Sequence, residues 1–191
     1  MIDLTKALET ALEHTGPLKM VDDATVEKCI LNMAEKYQYR PSEQIIEPIR
    51  AFLSGYGIIL SGDAGLGKTF LMKCLGVRMY AVNGIAEYGL RSIANWYEWT
   101  DGNDLCIDDL GAEAVTAEFG AKDDVLKIAI AHRSERQSGR TSITTNLSSE
   151  EIVERYGDRT LSRILGMCKP FHFDGANMRS PVQGITERIT G

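Results

Sequence analysis

The 191-residue sequence predicts an α/β protein: a mainly parallel five-stranded sheet sandwiched between helices, with short helices ahead of it. Three observations predict it. Short apolar runs alternate with stretches of helical periodicity, as in a parallel sheet covered on both faces. The first of these runs opens into a glycine-rich turn that leads directly into a helix. A later run ends in two adjacent carboxylates, Asp108 and Asp109.

The elements come in order. Residues 3–14 read as a short helix, with Leu4, Ala7, Leu8, Ala11 and Leu12 on one face and Gly16-Pro17 breaking it. Asp22-Asp23 caps a second helix whose stripe is Val26, Ile30, Met33, Ala34 and Tyr37, ending before Pro41. Residues 43–53 read as a third. Residues 1–50 thus form a helical extension, either packed on the domain behind it or held out as a docking arm. Residues 56–61 are the first buried strand, and a helix over 69–80 turns Phe70, Leu71, Cys74, Leu75 and Met79 inward. A weaker strand is expected over 85–90 and a short helix over 93–99. Residues 104–108 are the second clear strand, followed by a helix over 121–137 and a β-branched strand over 142–145. Two short helices over 148–156 and 158–166 lead to a last strand over 171–173.

Composition narrows the class. Apolar residues make up 43% and charged residues 25%, as in an ordinary globular protein. No apolar run approaches the roughly 18 residues that span a bilayer, and the opening residues lack the basic start and apolar core of a signal peptide. A cytoplasmic protein with no membrane partner is therefore expected. Cys29, Cys74, Cys106 and Cys168 are far apart and show no paired metal spacing, which suits buried free thiols. Residues 1–126 carry 11 basic against 20 acidic side chains, whereas residues 127–191 carry 10 against 7. The acidic front half argues against a general nucleic-acid coat; the basic back half leaves room for a local polyanion contact.

Gly62-Asp63-Ala64-Gly65-Leu66-Gly67-Lys68-Thr69 meets the pattern G-x-x-x-x-G-K-[ST] in full, and Phe70 comes directly after it. Glycines let the backbone wrap closely and aim successive N–H groups at phosphates, and the helix start adds its positive dipole end. Lys68 is placed to reach β- and γ-phosphates, and the Thr69 hydroxyl to ligate Mg²⁺. The residues from Gly62 to Phe70 are the expected ATP-binding set. Leu105-Cys106-Ile107-Asp108-Asp109 adds the second acidic site. A strand ending this way beside a phosphate loop puts Asp108 on the metal, and Asp109 where a water-activating acid is needed.

With both motifs placed, residues from about 50 to 180 resemble the AAA+ ATPases of the DnaC/DnaI helicase-loader and IstB transposition-helper group. Ile107-Asp108-Asp109-Leu110-Gly111 is similar to that group's Walker B segment. Gly139-Arg140-Thr141-Ser142-Ile143-Thr144-Thr145-Asn146, preceded by His132-Arg133, resembles its fourth strand, which gives Asn146 the sensor-1 role. Tyr156-Gly157-Asp158-Arg159-Thr160-Leu161-Ser162-Arg163 resembles the arginine-finger segment; Arg163 matches the finger, with Arg159 as its rival. Phe173-Asp174-Gly175-Ala176-Asn177-Met178-Arg179-Ser180 resembles the end of the domain, where Arg179 fits sensor 2. The resemblance implies a three-layer α/β/α AAA+ ATPase domain over residues 51–191 with a reduced C-terminal lid. It also implies a homo-oligomer or AAA+ partner, a finger supplied in trans, and a helicase or transposase as protein partner. Two departures stand out. Loaders of this group usually carry Glu where this chain has Asp109. They also have a longer interval between the loop threonine and the strand aspartate, with a helical insert that helps hold single-stranded DNA. Here Thr69 and Asp108 are 39 residues apart, which leaves direct DNA contact open.

Other constellations have two readings each. His132, Arg133, Arg136 and Arg140 suit a phosphate- or DNA-facing helix end or a solvated helix C-terminus. Trp96-Tyr97-x-Trp99 suits base stacking or partial core burial, and His172 between two phenylalanines is structural. For the whole chain the leading expectation is a Mg²⁺-dependent ATPase acting on a replication or transposition partner. Against it stand a nucleotide-dependent switch with weak hydrolysis and a P-loop small-molecule kinase.

Overall fold

A computed structural model describes residues 21–37, 42–113, 120–136 and 139–175. The chain runs α1 (Asp23–Tyr37), a 3-10 turn (Glu43–Ile45), α2 (Ile46–Leu53), β1 (Gly57–Gly62), α3 (Lys68–Cys74), β2 (Arg78–Ala81) and α4 (Val82–Thr100). It continues through β3 (Leu105–Leu110), α5 (Gly120–Arg136), β4 (Thr141–Thr145), α6 (Ser149–Tyr156), α7 (Asp158–Met167) and β5 (Cys168–Phe173). The five strands lie in the order β2-β3-β4-β1-β5, and every pairing is parallel. The sequence expectation of a five-stranded parallel sheet between helices is met.

Handedness explains which helix covers which face. The sheet begins at β1, an inner strand, and the chain crosses from it to β2 at one edge; every later crossover runs the other way. Right-handed crossovers in opposite directions put their helices on opposite faces. Accordingly Ile58, Leu60 and Cys106 pack into one core with Leu71 and Met72 of α3, Ile49 and Phe52 of α2, and Val26 and Met33 of α1. Ile59, Leu105, Ile107 and Ile143 pack into the other with Trp96 of α4, Ile130 of α5, Ile152 and Tyr156 of α6, and Ile164 of α7. Strands β1 and β4 are neighbours whose outgoing connections leave to opposite faces. The crevice above their C-terminal ends is the usual ligand position in such sheets.

Several element boundaries differ from the sequence expectation. The Asp22 carboxylate does cap α1, accepting the Thr25 N–H at 2.8 Å. The helix expected over 69–80 instead stops at Cys74. Gly76, at φ 75°, turns the chain, and Arg78–Ala81 becomes an edge strand paired with β3. The strand expected over 85–90 and the short helix over 93–99 are one 19-residue helix, α4. The interval between Thr69 and Asp108 thus holds the rest of α3, the edge strand β2 and the long helix α4. The helix expected over 43–53 opens as a 3-10 turn. Buried Val26 and Met33 show that the described part of the N-terminal extension packs on the sheet's helices. The helix expected over 3–14 lies outside the described residues. No helix among the described residues is long and apolar enough to cross a membrane. Cys106 and Cys168 are buried free thiols, whereas Cys29 and Cys74 are half-buried.

In the basic cluster at the end of α5, His132, Arg133 and Arg140 are engaged within the fold, whereas Arg136 is exposed. Arg133, 2% exposed, donates to Thr141 Oγ1, Thr100 O, Asn103 O, Gly139 O and Arg140 O. It thereby serves carbonyls at the end of α4 and in the turns entering β3 and β4. Burial pulls its pKa below the ordinary arginine value, opposed by Asp101 and Asp104. His132 stacks on Tyr97 at 3.7 Å and meets Asp101 at 2.9 Å. Arg140 binds Asp104 and lies over the Phe52 ring. These groups sit where β3 and β4 begin, at the opposite end of the sheet from the glycine loop. Replacing Arg133 by Ala strands several buried carbonyls, so Arg133→Ala should lower unfolding free energy by about 3 kcal/mol. Urea denaturation followed by circular dichroism measures it, and Arg136→Ala should fall within about 0.5 kcal/mol of wild type.

Candidate functional site

The site is built on three adjacent strand ends. β1 ends at Gly62, whose φ of 125° and close approach to β5 exclude a side chain: a Cβ there would meet Phe173 O at 2.1 Å. The loop then turns through Gly65 (φ 87°) and Gly67 (φ 85°) into α3. Lys68, the first residue of α3, is 5% exposed and folds back over its own loop. Its Nζ donates to Gly62 O at 2.6 Å, Asp63 O at 2.7 Å and Asn146 Oδ1 at 2.8 Å. Thr69 Oγ1 donates to Asp108 Oδ1 at 2.8 Å. The structure therefore brings Lys68, Thr69, Asp108 and Asn146 together, from α3, β3 and the end of β4.

Asp109 differs from Asp108. The β3–β4 register runs regularly through Ile107↔Ile143 and then shifts to Leu110↔Thr145. At that bulge Asp109 takes a φ of 60°, the one non-glycine residue among those described to do so, and its side chain faces solvent. A left-handed backbone is more tolerable for Asp than for most residues. Its N–H donates to Thr144 Oγ1 at 2.9 Å, and Thr144 Oγ1 donates to Asp108 Oδ1 at 2.7 Å.

After β3 comes an ion pair that no motif marks, between a buried carboxylate and a half-buried arginine. Glu113, 3% exposed, accepts from Tyr156 Oη, from Gly111 N at 3.1 Å and from Arg155 Nη2 at 2.9 Å. Arg155 also donates to Gly111 O at 2.6 Å and Glu113 O at 2.9 Å. The backbone of Gly111 is held through both its N–H and its C=O, and a Cβ on it would strike Leu147 at 2.5 Å. The loop after β3 is thus fastened to α6, the helix that begins just beyond Asn146. The signal was an acid three residues past an apolar strand and an Arg-Tyr pair on an amphipathic helix, each ordinary when taken alone. Thr144 carried a clearer signal: a hydroxyl inside a strand buried on both faces needs a partner.

The remaining expected site residues lie elsewhere. Phe70 is 40% exposed and meets Tyr37 of α1 edge-on at 6.4 Å. Arg163, on α7, forms an ion pair with Glu135 of α5 at 2.9 Å, while Arg159 is exposed. Arg179 lies outside the described residues. Trp96 is fully buried, edge-on to Tyr80 and Tyr97, which excludes it from base stacking. His172 bridges Ser61 and Asp174 on the edge of the sheet.

Comparison with solved structures decides the fold. The DnaC helicase loader superimposes with a TM-score of 0.55 at 22% identity, over 72% of this chain and 94% of that one. AMPPCP-bound DnaA from Aquifex aeolicus does so with a TM-score of 0.54 at 14% identity, over 75% of this chain and 51% of that one. DnaI gives a TM-score of 0.50 at 19% identity over 91% and 93% of the two chains. The fold is shared with DnaC and DnaI. No protein-family model matches the chain, and neither does any curated protein.

The Glu113–Arg155 pair makes a stability prediction of its own. Arg155→Ala leaves a buried carboxylate without its cation and should cost about 3 kcal/mol, whereas the Glu113→Ala/Arg155→Ala double variant should lose less than the two single losses combined. Thermal and urea unfolding of the four proteins measure the coupling.

Proposed function

We propose that this chain binds ATP with Mg²⁺ and hydrolyses it. We further propose that it acts as a helicase-loader-like or IstB-like factor on a DNA-replication or transposition partner. The observation that carries this reading is the convergence of Lys68 with Asn146 and of Thr69 with Asp108 at the mouth of the glycine loop. The donors suit Mg²⁺. Two hard oxygens stand side by side, and no group of three or more His, Cys, Asp or Glu side chains among the described residues forms a closed cage. A cation held by one or two protein oxygens, with phosphate oxygens and waters completing its shell, is the usual arrangement for Mg²⁺.

In this reading the loop N–H groups and the N-terminus of α3 hold the phosphates, and Lys68 exchanges at least one carbonyl partner for a phosphate oxygen. Thr69 and Asp108 would hold the metal, which when bound neutralises charge on the β- and γ-oxygens. Asn146, beside Lys68, orients the attacking water, and Asp109 accepts its proton. Phe70 and Tyr37 offer aromatic faces for the base. Arg163, once released from Glu135, or its exposed neighbour Arg159, meets the γ-phosphate of an adjacent subunit. Asp109 is the observation that favours a second reading. It is shorter than the usual Glu and points to solvent, so a nucleotide-dependent switch with little hydrolysis is the runner-up.

Phosphate release with and without single-stranded DNA tests these. Wild type should release phosphate; Lys68→Ala should abolish nucleotide binding; Asp109→Asn should bind ATP normally and hydrolyse it about a hundredfold more slowly. Tight ATP binding with no release under any condition establishes the switch, and transfer of phosphate to a nucleotide acceptor establishes a kinase. For assembly, mixing Arg163→Ala with Lys68→Ala protein should restore part of the activity, because some interfaces then combine an intact loop with an intact finger. An inactive mixture of proven oligomers would reject Arg163 as the finger, and the same mixture made with Arg159→Ala would then identify its rival.

A further inference from the structure

Thr144 stands at a junction that no motif assigns. It is 0% exposed, on the strand between β3 and β1. Its single hydroxyl has one proton to give and lone pairs to receive. The direction of each bond is fixed by chemistry rather than by choice of tautomer. The Asp109 N–H can only donate, so Thr144 Oγ1 accepts it at 2.9 Å. The Thr144 proton then goes to Asp108 Oδ1 at 2.7 Å, and Thr69 Oγ1 donates to that same oxygen at 2.8 Å. One carboxylate oxygen thus receives two hydroxyl protons, and both the orientation of Asp108 and the direction of the Thr69 lone pairs are set by that meeting.

The bulge gives Thr144 a second duty. Where the ladder shifts between Ile107 and Leu110, the Asp109 N–H is turned toward β4, and the Thr144 hydroxyl is the acceptor it finds there. The same hydroxyl therefore fixes the backbone of one acid and the side chain of the other. Two residues further along the chain, Asn146 meets Lys68, so β4 measures out both contacts from one strand.

We infer that Thr144 is a positioning residue: its hydroxyl holds Asp108 and Thr69 in the arrangement that takes up Mg²⁺ with nucleotide. This rests on the reading that the chain binds Mg²⁺-nucleotide. Thr144→Val keeps the β-branched shape and removes the hydroxyl; Thr144→Ser keeps the hydroxyl.

The test is equilibrium binding of a fluorescent, non-hydrolysable ATP analogue, titrated with Mg²⁺ and compared with the same protein in EDTA. Wild type should bind more tightly with Mg²⁺. Thr144→Val should need roughly ten- to a hundredfold more Mg²⁺ for half its effect, as expected for loss of a group that orients a metal ligand. Its affinity in EDTA should stay within about threefold of wild type, because no phosphate contact is removed. Thr144→Ser should retain the wild-type Mg²⁺ dependence. Circular dichroism and thermal melts confirm folding; should the valine variant not fold, Thr144→Ala against Thr144→Ser provides the same comparison. A folded Thr144→Val or Thr144→Ala protein with wild-type Mg²⁺ dependence overturns the inference alone. A Thr144→Ser protein that loses that dependence does so too. A wild-type protein that binds the analogue in neither Mg²⁺ nor EDTA overturns the inference together with the functional reading.

Discussion

A row of three isoleucines across the sheet sets everything above it. Ile143 on β4 is paired with Ile107 on β3 and with Ile59 on β1, and all three lie in the same core. Parallel ladders with both faces buried do not slide: a one-residue slip would turn every inward side chain to the opposite face. From that row the strands advance together to their C-terminal ends. The phosphate loop, the acid pair and Asn146 are therefore delivered to one place. Contacts of 2.7 to 2.8 Å among Thr69, Asp108, Thr144, Lys68 and Asn146 are the local result of that register.

The two ends of the sheet divide the labour. At the start of the strands, Arg133, Arg140 and His132 satisfy carbonyls and carboxylates of turns, so the basic side chains there close the fold. At the far end the polar groups of the glycine loop, Asp108 and Asn146 gather, and the Glu113–Arg155–Tyr156 cluster fastens the acid loop to α6. Charge counted along the sequence does not distinguish these uses. The residues after 126 are net basic, but Arg133, Arg140, Arg155 and Arg163 are each engaged within this chain.

How much was legible varied with the kind of signal. The glycine loop, Asp108 and the alternation of strand and helix were readable because each is local and its chemistry dictates its spelling. The stretch between α3 and β3 was misread for a physical reason. Leu75 and Met79 keep helical spacing across the turn, so an edge strand of four residues looks like a continued helix. The contrary sign was Gly76, placed where a helix ends. In α4 the buried residues Val82, Ile85, Ile93, Trp96 and Thr100 keep a helical period, but Gly84 and Gly89 broke the run to the eye. The Glu113–Arg155 pair joins residues 42 apart, and Thr144 answers to a bulge on another strand; neither relation exists until the sheet does.

The left-handed turn at Asp109 also constrains how this sequence can drift. Few side chains sit comfortably at that backbone angle, and asparagine is the one that matches aspartate in both size and tolerance. A single base change in an aspartate codon produces it. Glutamate has no such conformational welcome. Exchange to glutamate therefore calls for a change in the strand as well as in the codon. The fold makes the exchange of the Asp109 acid for its amide easy, and the step toward the longer acid hard.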